Sequence, residues 1–63
     1  MNAIDIFESF KKNAPQYVKY VKLWIRHSAY SIVIILKDNS KYLYTANANG
    51  YWRFEEYKGG TPK

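Results

Sequence analysis

Between residues 17 and 58 the chain alternates short β-favouring runs with turn signals, and no connection there is long enough to hold a crossover helix. Connections that short join antiparallel neighbours, because parallel strands need a dozen or more residues between them. Residues 17–26 are rich in Val, Ile, Tyr and Trp, and residues 30–37 carry the aliphatic run Ile32 to Leu36. Residues 41–47 and 51–58 complete the set. The turns fall at 27–30, at Asp38-Asn39-Ser40 and at Asn49-Gly50, the dipeptide most diagnostic of a two-residue hairpin loop. Tyr17, Tyr20, Val21 and Trp24 also match helical spacing, but β-branched and aromatic content favours a strand.

The residues before this region read as a helix over 3–13. Asn2 is a good N-cap, and Asp5 lies in the first turn. Ala3, Ile6, Phe7, Phe10 and Ala14 share one face at 3.6 residues per turn, and Pro15 ends the run. A helix of about three turns is unstable alone in water, so it must lie on the sheet. The expected fold is α+β: one N-terminal helix packed on a four-stranded antiparallel β-meander. Residues 1–58 form a single domain and 59–63 a flexible C-terminal tail. With 63 residues the core is marginal and leaves little room for a deep cleft.

Turn lengths decide which residues share a face, because a one-residue slip reverses a strand. A two-residue turn at Ser28-Ala29 sets Ile25 opposite Ile32 and Trp24 opposite Val33. A three-residue turn at 38–40 sets Leu36 opposite Tyr42. A two-residue turn at Asn49-Gly50 sets Thr45 opposite Phe54 and Asn47 opposite Trp52. One face then collects Val21, Leu23, Ile25, Ile32, Ile34, Leu36, Tyr42, Tyr44 and Ala46, with Arg53 and Tyr57 at the outer strand, and the helix covers it. The other face is uncovered. It carries Tyr20, Trp24, Trp52 and Phe54 among Lys22, Arg26, Lys37, Lys41 and Lys58, with Val33, Ile35 and Leu43 at its centre. In the alternative arrangement the helix covers the tryptophan side.

Aromatic residues are 19% of the chain, more large rings than one small core can hold, so some belong to a surface or an interface. The net charge of +5 is unevenly placed. No acid falls between Glu8 and Asp38, where Lys11, Lys12, Lys19, Lys22, Arg26 and Lys37 lie. Such a block favours an anionic partner. The expected function is non-enzymatic binding of nucleic acid with low sequence specificity. Tyr20, Trp24, Trp52 and Phe54 would stack on bases, and Lys22, Arg26, Lys37, Lys41 and Lys58 would meet phosphates. The same face also fits a protein partner: a regulator or inhibitor of a larger, nucleic-acid-processing enzyme, or a sheet-to-sheet homodimer. Size and composition have the style of small proteins of bacteriophages and mobile elements. In either reading, Trp24→Ala and Trp52→Ala would impair binding without unfolding the chain. Leu23→Ala or Ile34→Ala would cost about 2–5 kcal/mol of stability.

Enzyme chemistry has little to build on. Cysteine is absent, which removes thiolate nucleophiles, thiolate zinc sites and disulfides. His27 is the only histidine, and its neighbour Ser28 is expected to point away from it. Glu55 and Glu56 alternate across a strand. Gly50, Gly59 and Gly60 fit no phosphate loop. No cofactor, metal or small-molecule substrate is implied. The polar helix face mixes Asp5 and Glu8 with Lys12, unlike a membrane-surface helix. No leader or membrane span is legible, and the expected location is cytoplasmic.

Overall fold

The fold was obtained as a computed structural model, which describes residues 2–58. The tail expected at 59–63 lies outside the described residues. Helix α1 spans Ala3–Asn13, and a 3-10 helix spans Pro15–Tyr20. Strands β1 (Val21–Ser28), β2 (Ser31–Leu36), β3 (Lys41–Ala46) and β4 (Trp52–Glu56) form one antiparallel sheet in sequence order. This is the expected α+β meander with an N-terminal helix. The strand expected from residue 17 begins only at Val21. Pro15 sits at the start of the 3-10 turn, where its missing N–H costs nothing.

Asn2 caps α1 as expected: its Oδ1 accepts the Asp5 N–H at 2.8 Å. Ile6 and Phe10 are fully buried and meet Ile32, Ile34, Leu36, Tyr44 and Ala46. The Tyr44 hydroxyl is shared with Ser9 Oγ at 2.7 Å and accepts from Asn13 Nδ2 at 3.1 Å, which ties the helix to the sheet centre.

The two central strands turn the expected faces toward the helix, and the two edge strands are reversed, except at Val21, which opposes Leu36 on the helix side as expected. In β4 the register sets Thr45 opposite Arg53 and Ala46 opposite Trp52. Phe54 and Trp52 therefore lie on the helix side, and Arg53 and Glu55 face away. The cause is a three-residue loop at 48–50 in place of the two-residue loop. Asn47 Oδ1 accepts the N–H groups of Asn49 (2.9 Å) and Tyr51 (3.2 Å). Its N–H donates to the Tyr51 carbonyl at 3.0 Å, and Gly50 takes φ +90°. A loop closed by one left-handed residue is the other common hairpin solution.

In β1 the register sets Trp24 opposite Ile34 and Ile25 opposite Val33. Trp24 thus joins the core side, and Leu23 and Ile25 face away, against expectation. The turn falls at Ala29-Tyr30, one residue late, because Ser28 Oγ bonds Ser31 Oγ at 2.6 Å and accepts the Tyr30 N–H at 3.4 Å. Register shifts between Arg26 and Ser28 and between Val21 and Leu23 place bulges at His27 and Lys22. The β2–β3 loop occupies 37–39, with Asn39 at φ 72°. Ile34 rather than Leu36 opposes Tyr42, an even slip that preserves the faces.

Candidate functional site

The reversed edges redistribute the side chains expected to bind. Trp24 stacks on Phe7 of α1, ring centroids 5.0 Å apart. Phe54 packs in the core among Phe10, Tyr17, Tyr42 and Tyr44. Neither ring is free to stack on a base. Trp52 lies at the β4 edge, 6.0 Å from the Tyr44 ring and 43% exposed. Arg26 is exposed near the far end of β1, on the helix side.

The remaining expected residues gather at one end of the sheet. In an antiparallel meander the start of β1, the end of β2, the start of β3 and the end of β4 are neighbours. Lys22, Lys37, Lys41 and Lys58 stand at those positions, with Lys19 and Tyr20 just before β1. Asp38 and Glu56 are the acids at this end. The Lys37 N–H donates to the Tyr20 carbonyl at 2.8 Å, and Lys22 Nζ donates to Asn39 Oδ1 at 3.1 Å, so the 3-10 segment, β1 and the β2–β3 loop are joined. Between them opens a groove of about 580 Å³ lined by Tyr17, Tyr20, Tyr42, Leu36, Lys37, Asp38 and Ser40. Phe54 backs the rings of Tyr17 at 5.2 Å and Tyr42 at 5.0 Å. Lys19 Nζ sits 5.3 Å from the centre of the Tyr20 ring. Hydrogen bonding to Ser40 holds the Asp38 carboxyl below the usual aspartate range, so it is an anion at neutral pH.

The face turned away from the helix carries Leu23, Ile25, Val33, Ile35, Leu43 and Thr45, with Lys41, Arg53 and Glu55 toward β3 and β4. Arg53 Nε pairs with Glu55 at 3.2 Å. This face is more apolar and less cationic than expected. It is also partly covered. The rings of His27 and Tyr57, at diagonally opposite corners, come within 5.5 Å, and Val33 between them is only 4% exposed. Twist brings such corners together. Beside that bridge Leu23 and Ile25 stay 43% and 52% exposed.

Nothing in the spacing of residues signals that His27 meets Ser31. The bulge brings its Nδ1 to 3.0 Å from Ser31 Oγ. A histidine–serine pair is the start of nucleophilic chemistry, but Ser31 is buried and its hydroxyl is already bonded to Ser28. The trio braces the β1–β2 turn. No group of His, Asp or Glu among the described residues is arranged to hold a metal ion. No helix among them is long and apolar enough to cross a membrane. Fold and surfaces together define a small helix-on-meander protein with one apolar sheet face and one basic, tyrosine-lined end. Comparison with protein-family models, curated proteins and solved structures finds no match.

Proposed function

We propose that this chain is a small non-enzymatic binding protein whose sheet face away from the helix docks on a larger protein, which it regulates or inhibits. The observation that carries the reading is the pair Leu23 and Ile25, about half exposed beside Ile35 and Leu43 on a face that no helix covers. An exposed apolar patch with a charged rim has the anatomy of an interface core. The edges of the sheet are poorer docking sites. β1 is interrupted by bulges at Lys22 and His27, and β4 is only five residues long, both common guards against strand pairing.

Charge selects the partner. The rim of the face carries Lys41 and the Arg53–Glu55 pair, on a chain of net charge +5. A second copy would set like charges against each other, so the fitting partner is a different protein with an apolar centre and an acidic margin. The cell interior is the setting this reading assigns. Nucleic acid loses the face, because Trp24 and Phe54 are spent in the core.

The test uses immobilised protein and extracts of the source cells. A specific partner should stay bound in about 0.5 M salt, where exposed charge pairs are screened. It should be lost with Ile25→Lys, a change on the open face that leaves the fold intact. Sedimentation should show a monomer. Capture that Ile25→Lys does not weaken, or a stable dimer that it dissolves, would replace this reading.

A further inference from the structure

The basic end of the sheet is separate from the open face and has its own chemistry. Its groove of about 580 Å³ lies within the roughly 300–1,000 Å³ common for small-ligand clefts. We propose that it takes a base-plus-phosphate unit, a nucleotide either free or within a single strand.

Three features fit that ligand. The wall is aromatic and set in place before binding. Tyr17 and Tyr42 lean on Phe54, and Tyr20 is anchored through its carbonyl to the Lys37 N–H. Tyr20 is 49% exposed, so its ring can accept a stacked base. Three cations stand near the groove: Lys19 over one face of the Tyr20 ring, which leaves the other face for a base, Lys37 in the lining and Lys22 held against the 37–39 loop. They supply phosphate contacts. The Asp38 carboxylate stands in the same lining beside Lys37 and offers a hydrogen-bond acceptor to a base. An ionised carboxylate only accepts hydrogen bonds, so Asp38 favours a base with an exocyclic amine, such as cytosine, over thymine.

The test is fluorescence anisotropy of the full chain with short labelled oligodeoxycytidylate and oligodeoxythymidylate, at about 50 mM and about 200 mM salt. Saturable binding is expected, tighter for the cytidylate. Tyr20→Leu should weaken it about tenfold through loss of stacking. Lys37→Gln should lower the slope of log affinity against log salt by about 0.7, the value for one phosphate contact on a single strand. Both residues are exposed, and a thermal melt checks that the variants fold. Competition by cytidine monophosphate at the oligonucleotide's own effective concentration identifies a free nucleotide as the ligand; competition by the oligonucleotide alone identifies a strand. Val33→Ala, a change of no charge on the sheet face away from the helix, should leave this binding unchanged, which separates it from that face. Absence of saturation at the lower salt, or affinity that Tyr20→Leu leaves within twofold, overturns the proposal.

Discussion

At the residue scale, the molecule turns on where single side chains point. Trp24 lies under α1 and Leu23 faces solvent, so their truncations should differ in the order opposite to the one the sequence implies. Trp24→Ala should cost about 2 kcal/mol or more, below the full value for a buried aromatic because the ring is half-buried. Leu23→Ala should stay within about 0.5 kcal/mol. Urea denaturation of the two variants decides the register directly. A second residue-scale expectation concerns Asp38. Its carboxyl is lowered by the Ser40 hydrogen bonds, so the ionised form is favoured in the folded state. The stabilisation it gives the β2–β3 loop is present above the ordinary aspartate range and lost as pH falls through the lowered value. Asp38→Ala should therefore reduce stability at neutral pH and flatten the acid side of the pH–stability curve. A thermal-melt series between pH 2 and 7 reads both effects.

At the scale of elements, loops decide faces. The helix bounds and the inward faces of β2 and β3 were legible because each rests on periodicity several residues long, the cap because Asn2 is a strong capping residue, and the strand order because the connections are too short for a crossover. The faces of β1 and β4 were not, because β4 rests on one choice of loop length and β1 on a bulge at His27 that reverses the faces beyond it. Asn49-Gly50 reads as a two-residue loop, yet Asn47 competes by bonding the Asn49 and Tyr51 amides, and its side chain wins. Alternation was the surer guide to β4: it has Trp52 and Phe54 on one side and Arg53 and Glu55 on the other, and the apolar side is the one the observed loop turns to the helix. The same slip explains why Tyr20, Lys22, Lys37, Lys41 and Lys58 came together as a candidate site while Trp24 and Phe54 left it. The first group stands at strand ends, where topology alone places it; the second depends on register. Gly50 tests the loop. A Cβ there meets nothing within 4 Å, but φ is +90°. Gly50→Ala should thus cost about 1 kcal/mol from backbone strain alone, with no steric contribution. Chemical denaturation measures it, and a neutral result would mean the loop has another conformation.

At the scale of the whole molecule, charge is polarised. Lys19, Lys22, Lys37, Lys41 and Lys58 crowd one end of the sheet, opposed by Asp38 and Glu56, in a chain of net charge +5. Self-repulsion of this kind is screened over about 10 Å at 0.1 M salt. The melting temperature should rise as sodium chloride is raised from about 10 to about 150 mM, a range that leaves apolar burial little changed. Substituting Lys19 and Lys22 together by Gln should reduce that salt response. A melting temperature that falls with salt would mean that favourable ion pairs, not repulsion, dominate this end.

The order of the chain has a consequence for how the molecule comes into being. Helix α1 is made before the strands, but its anchors Ile6 and Phe10 rest on residues far downstream, and Phe10 touches Phe54 in β4. Eleven residues cannot hold a helix in water by themselves. A ribosome-bound chain therefore carries its amphipathic segment unstructured until nearly all of the sheet has emerged. The hairpins, whose partners are close in sequence, assemble ahead of it. The helix is thus made before the strands that hold it, and is the last of these elements to find its place.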